Sequence, residues 1–318
     1  MAVWRPQAAT LPCLAGSEVS GLLIVDKPAG MTSHDVVTRV RQLARQRAVG
    51  HAGTLDPLAT GVLVLCLGQA TRLIEYLLNH DKSYRAVVRL GQVTDTYDAE
   101  GRVVAESAGP LPDRPAAEAA LAGLRGDILQ QPPAYSAIKV RGQPAYRRAR
   151  RGEDVALAPR RVTIYRLELV AWAPPLATLE VDCSAGTYVR SLAHDWGRAL
   201  GCGAHLAGLT RTRSGPFTLA EAAPLPALEA EALAFRRRLL PMDAALSDSD
   251  ALQLDADESR RLVQGQPIAG PPPRRSGPAR AYSDAGDFLA VIEFDAACNA
   301  WRPRKVFVRE SHANHPTP

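Results

Sequence analysis

The chain has 318 residues, 46% of them hydrophobic and 22% charged. That balance fits one large or two ordinary folded domains and excludes a disordered or fibrous chain. The formal net charge of +5 is too small to name a partner, and the longest apolar run, Val62–Leu67, is far too short to cross a bilayer.

Residues 1–20 carry no apolar stretch behind a basic start, so they read as an unassigned leader, and a soluble cytoplasmic protein is expected. Gly21–Asp26 reads as a buried strand stopped by Lys27-Pro28-Ala29-Gly30. Thr32 or Ser33 offers a helix N-cap, and Val36, Val37, Val40, Leu43 and Ala44 follow at helical spacing. A Gly- and Pro-rich loop over 50–61 leads into the apolar strand 62–67. A helix is predicted over 70–79, and a strand over 84–90. The β-rich segments 162–170 and 178–183 suggest a hairpin-like pair with a long connection. Val189, Leu192, Ala193, Trp196 and Leu200 keep a helical stripe that Gly201 ends. Strands and helices interleave irregularly, which predicts an α+β fold with a mixed, largely antiparallel sheet. A boundary near 241–250 sets off a small β-rich domain over 250–310, with a short helix at 258–263 and strands near 279–283, 288–294 and 304–308. The tail 311–318 is expected to be disordered.

The five cysteines are scattered without a CxxC pair, so neither a disulfide framework nor a zinc site is expected. Charge is more telling by placement than by sum. Between Arg141 and Arg161 stand seven arginines against Glu153 and Asp154, a surplus equal to that of the whole chain. Such a window reads either as a solvated face or as a patch that neutralises phosphates.

Chemistry points first to Gly50-His51-Ala52-Gly53-Thr54-Leu55-Asp56-Pro57, a loop held between regular elements. The proline biases Asp56 to an extended backbone that would project its carboxylate. Equally, Asp56 could bond its own backbone in a turn. Tyr84 at a strand start, the acidic run Asp95 to Asp98, and the segment Ser184 to Arg190 are further polar candidates. Tyr188 and Arg190 share a side only if the chain is still extended there, because a helix would set them about 200° apart.

The order and spacing of these segments resemble the bacterial tRNA pseudouridine-55 synthases, the TruB family. The resemblance runs through GLLIVDKPAGMTS (21–33), GHAGTLDPLATGVL (50–63), DKSYRA (81–86) and LGQVTDTYDAEG (90–101). It continues through PPAYSAIKVRGQPAYRRARRG (132–152) and CSAGTYVRSLAHDWGRALGCGAHLAGLTRTRSG (183–215). It implies a pseudouridine synthase fold over 21–245 with an RNA-gripping insertion at about 132–161 and a PUA-like domain over 250–310. The implied reaction is isomerisation of uridine to pseudouridine at position 55 in the T loop of tRNA, on a flipped-out base, without cofactor or metal. Asp56 takes the catalytic position, Tyr84 that of the tyrosine stacked on the target base, and Arg190 that of the arginine paired with the carboxylate. Tyr188, Leu209 and Asp98 fall on substrate-binding positions, and His51 on the histidine that enters the T loop. Arg141, Arg147, Arg148 and Arg151 are the implied phosphate contacts. Lys27 reads as structural. A monomer needing no protein partner is implied, set against a guide-dependent synthase and a non-catalytic RNA-folding protein. Ala52 and Ala185 depart from the family pattern without removing a catalytic group.

Overall fold

The computed structural model describes residues 18–136, 138–140, 142–149, 151, 153, 157–230 and 234–307. The expected leader (but for 18–20) and the expected tail 311–318 lie outside them.

β1 (Gly21–Lys27) passes through a turn into α1 (Ser33–Ala44). Thr32 caps this helix: its hydroxyl accepts the Asp35 amide, and the Asp35 carboxylate accepts the Thr32 amide in return. Two amide donors left open near the helix start are satisfied this way. β2 (Val49–Ala52) pairs antiparallel with β3 (Thr60–Leu67), His51 lying opposite Leu65. The loop expected over 50–61 is therefore shorter, running only over 53–59. β3 meets β1 along one edge, and β2 fills part of the other. With Leu63, Leu65 and Leu67 in one core and Val62, Val64 and Cys66 in another, β3 is buried on both faces. That explains its unbroken apolar run.

The helix expected over 70–79 is split. A 3₁₀ segment, Gly68–Leu73, precedes α2 (Ile74–Leu78). β4 (Lys82–Leu90) buries Lys82, Tyr84, Ala86, Val88 and Leu90 on one face, the period of a half-covered strand. β5 (Gln92–Thr94) and β6 (Val103–Glu106) form a hairpin. α3 (Arg114–Ala120) and β7 (Gly126–Gln130) follow, then β8 (Lys139–Val140), β9 (Gln143–Pro144) and α4 (Ala145–Ala149).

β10 (Arg160–Ala173) and β11 (Leu176–Cys183) are joined through Pro174 and Pro175 alone. The long connection expected there is absent because both strands extend up to the proline pair. α5 (Val189–Ala199) buries Val189, Leu192, Ala193 and Trp196, as its spacing predicts. The Trp196 indole donates to the Ala117 carbonyl of α3 at 3.1 Å. β12 (Ala204–Ser214) then enters the middle of the sheet. β13 (Phe217–Thr218), β14 (Ala223–Pro224), α6 (Leu225–Ala230) and α7 (Ala234–Arg237) complete this part.

Among the described residues the main sheet has the order β14-β1-β3-β12-β4-β11-β10-β7, with β2 and β13 alongside. Its β1–β14 and β3–β12 pairs are parallel; the other pairs are antiparallel. The fold is thus α+β with a mixed sheet. A separate sheet joins β15 (Ala251–Gln253), β16 (Ala279–Tyr282), β17 (Phe288–Asp295) and β18 (Ala300–Val306), with α8 (Ala256–Val263) beside it. It docks on the main sheet through Val291 and Phe307, which share a core with Val62, Leu73 and Leu77. The Tyr282 hydroxyl donates to Asp243 at 2.6 Å across the junction, and Arg72 donates to the Val306 carbonyl at 2.7 Å.

Candidate active site

The loop 53–59 runs from β2 to β3, between two glycines of left-handed backbone, Gly53 (φ 87°) and Gly61 (φ 97°). A Cβ on Gly61 would stand 2.3 Å from the Arg211 carbonyl oxygen, so no larger residue fits against β12 there. The loop is fastened from several elements. The buried Lys27 ammonium donates to the carbonyls of Pro28, Met31 and Pro57 at 2.9, 2.6 and 3.3 Å. Burial pushes it down to about 8, with the Asp56 charge pulling back. Arg211, 1% exposed, donates to the carbonyls of Val62 (2.7 Å) and Gly53 (3.1 Å). Ser33 bonds both backbone groups of Leu55.

The Asp56 carboxylate engages Arg190, which lies in the first turn of α5, and takes no backbone amide among the described residues. Arg190 Nε lies 3.0 Å from Asp56 Oδ2, and Nη2 lies 3.2 Å from Oδ1, a two-point grip that fixes the carboxylate plane. The remaining donors of the guanidinium reach Asp98 Oδ2 (3.2 Å), the Thr96 carbonyl (3.2 Å) and the Tyr135 carbonyl (2.9 Å). One guanidinium therefore serves two carboxylates of different standing. The Asp56 side chain is 34% exposed and that of Asp98 only 4%. Asp98 also accepts from the Thr96 hydroxyl at 2.6 Å and the Glu100 amide at 3.0 Å. It sits behind Arg190 and is not among the residues lining the cleft. Burial raises the Asp56 carboxyl above its ordinary range, and Asp98 adds to this while Arg190 and Lys27 oppose it.

The open side of Asp56 faces a cleft of about 70 Å³ lined by Thr54, Leu55, Asp56, Tyr84, Thr187, Tyr188, Val189, Arg190 and Leu209. Four segments far apart in sequence meet here. Tyr84 projects from β4 opposite Val181 and Arg211. Burial raises its phenol, against the pull of the nearby Arg211 charge, so the ring is a neutral wall. Tyr188 is the extended residue just before α5 (φ −101°, ψ 107°), which lets it and Arg190 both face the cleft. The wholly buried Gln130 fixes this corner, donating to the Tyr188 carbonyl at 3.0 Å and accepting its amide at 2.7 Å. Arg160 stacks over the Tyr188 ring at 5.4 Å.

His51 is on β2 rather than in the loop, and its ring does not line the cleft. Its buried Nδ1 has no hydrogen-bond partner among the described residues, and burial lowers its basicity. Of the four arginines expected on phosphate, Arg141 lies outside the described residues. Arg147 is exposed on α4. Arg148 and Arg151 both grip Glu153, at 2.5 and 2.9 Å, so a carboxylate already occupies part of this patch. Sequence reasoning gives no sign of Ser33, Gln130 and Arg211 as supports of the site; all three are buried polar side chains whose partners are backbone groups of distant segments.

Two family models match the chain. One, described as TruB family pseudouridylate synthase (N terminal domain), covers residues 41–189, and the other, tRNA pseudouridylate synthase B C-terminal domain, covers 190–247. Their common boundary falls between Val189 and Arg190, within the cleft wall. Curated relatives named tRNA pseudouridine synthase B include one from Pseudomonas paraeruginosa, 47% identical over 280 residues, 86% of this chain and 92% of that one. Another, from Chromohalobacter salexigens, is 44% identical over 304 residues, 94% of this chain and 98% of that one. Among solved structures, a chain in an H/ACA RNP bound to a substrate RNA containing 2′-deoxyuridine is similar with a TM-score of 0.70 and 25% identity. That match covers 91% of this chain and 85% of that one.

Proposed function

The chain belongs to the TruB family of pseudouridylate synthases, and from that premise we propose that it isomerises uridine 55 in the T loop of tRNA, with Asp56 as its catalytic carboxylate. The observation that carries the site assignment is the Asp56–Arg190 grip at the floor of a cleft walled by Tyr84, Tyr188 and Leu209. Pseudouridine formation breaks the bond from N1 to the sugar, turns the base, and joins the sugar to C5. N1 gains a proton and C5 loses one, so nothing is oxidised or reduced. Hydrolysis of a glycosidic bond ordinarily employs two carboxyl groups flanking it. Asp56 is the one carboxylate among the residues lining this cleft, which suits isomerisation.

The other residues divide the remaining work. Lifting a base from its stack costs a few kcal/mol. The neutral Tyr84 ring and the Leu209 side chain recover part of this by covering its faces. Tyr188, braced by Gln130 and Arg160, closes the cleft against the nucleotide. Arg190 aims Asp56, and Asp98 holds Arg190. His51, beside the cleft on β2, contacts the T loop next to the extruded base. The domain layout proposed is a catalytic unit over 21–245 with a basic insertion at about 132–161, and a PUA-like RNA-binding unit over 250–310. The protein works as a cytoplasmic monomer without guide RNA or protein partner.

Tritium release from tRNA labelled at C5 of uridine tests this reading with purified protein and no other component. Release mapped to one T-loop uridine is the expected result. Tight binding without release would favour a guide-dependent or RNA-folding protein. The sign of the pH dependence follows from Asp56. Chemistry needs its carboxylate, and burial raises its carboxyl. The acid limb of kcat/KM should therefore lie above about 3.9, the ordinary aspartate value, with activity lost as pH falls through it. A limb at or below that value would contradict the assignment.

The arginine patch makes a separate prediction. Replacing Arg147, Arg148 and Arg151 with glutamine should weaken tRNA binding and flatten its dependence on salt. Every phosphate left without its arginine lowers the log–log slope by about 0.7–0.9. An unchanged slope would remove the patch from the interface.

A further inference from the structure

Among the described residues, the loop bearing Asp56 has one internal backbone bond, from the Ala59 amide to the Asp56 carbonyl at 3.1 Å. Other elements supply the rest of its support. Ser33, the first residue of α1, is 2% exposed. Its Oγ accepts the Leu55 amide at 2.8 Å and donates to the Leu55 carbonyl at 3.1 Å. One hydroxyl thus satisfies both backbone groups of the residue directly before Asp56, as a neighbouring strand would. On the other side of Asp56, the Pro57 carbonyl accepts the Gly30 amide at 2.8 Å and the Lys27 ammonium at 3.3 Å. The residues on both sides of Asp56 are thus held through their backbone groups.

A serine at the start of a helix ordinarily serves the helix. Here Thr32 and Asp35 already form the cap, which leaves the Ser33 hydroxyl to the loop. We infer that Ser33 is a positioning residue for the reaction, acting through Leu55 to hold Asp56 at the approach to the nucleoside; this rests on the chemistry proposed for Asp56. Ser33 touches no substrate. Its contribution is to the geometry of attack, where a misplacement of one ångström can cost about 10²-fold.

Ser33→Thr and Ser33→Val provide the test, because the two side chains share a shape and differ in the hydroxyl. In the tritium-release assay Ser33→Val should lose about 10²-fold in kcat with KM and tRNA affinity unchanged. Ser33→Thr should retain turnover within a few-fold of the native protein. Ser33→Ala, smaller than either, gives the same comparison without crowding the site. Thr32→Ala removes the helix cap instead, and should lower the unfolding midpoint while leaving kcat unchanged. Equal turnover by Ser33→Thr, Ser33→Val and Ser33→Ala, each folded by circular dichroism, would overturn the inference. So would a loss of tRNA affinity in proportion to the loss of kcat. Failure of the native protein to release tritium would refute the proposed function itself, a distinct outcome.

Discussion

Asp56→Asn is expected to abolish turnover, by at least about 10⁴-fold in kcat, while tRNA affinity stays within a few-fold of native. The substitution keeps the size of the side chain and one oxygen for Arg190 to grip. It removes the charge and, with it, the ability to attack or to take a proton. The fold should tolerate the change, because Arg190 retains Asp98 and the carbonyls of Thr96 and Tyr135. Tritium release and filter binding on the same preparation check both halves. Turnover within about tenfold of native would dismiss Asp56 as the reacting group, since losing an essential nucleophile costs far more.

Arg190→Ala should be the more damaging change to the protein as a whole. It strands Asp98, whose side chain is 4% exposed, and a buried charge deprived of its partner costs about 3–5 kcal/mol. Urea unfolding should register that loss. Adding Asp98→Asn should restore part of it, because the two substitutions act on one pair. Catalysis should fall further than binding, since Asp56 loses its aim while the cleft walls remain. The acid limb should also move upward, because the guanidinium is the main influence lowering the Asp56 carboxyl. Arg190→Lys keeps a charge but not the two-point grip, so it should recover stability better than turnover. Equal losses in kcat and affinity would make Arg190 a clamp on substrate instead.

What is legible in the sequence is whatever a single element dictates. The helical stripes of α1 and α5 and the apolar run of β3 identify themselves by periodicity. The glycines and proline around Asp56 mark a loop. β2 hides because Gly50 and His51 resemble loop residues; only the edge of β3 makes them a strand. β12 hides for a similar reason. Gly208 and the mixture of threonine and arginine carry no strand signature, and the neighbours β3 and β4 impose one.

The site divides in the same way. Motif order is enough to collect Asp56, Tyr84, Tyr188, Arg190 and Leu209, and the fold brings those five to one cleft. The groups that hold them stay invisible because each acts across a long stretch of chain. Ser33 reaches 22 residues ahead to Leu55, Gln130 reaches 58 to Tyr188, and Arg211 reaches back 158 to Gly53. A buried serine, glutamine or arginine bonding to backbone leaves no local pattern.

The position of β12 also bears on how the protein is made. β3 and β4 are complete by residue 90, yet the strand that lies between them begins at Ala204. During synthesis, at about 5–20 residues per second, more than a hundred residues must be added before that gap can close. Until then one edge of β4 and the Thr60–Gly61 end of β3 lack their partner, the kind of surface on which chains aggregate. The nascent chain also carries Asp56 without Arg190 or Leu209, so the cleft those three residues line is incomplete until both have been added.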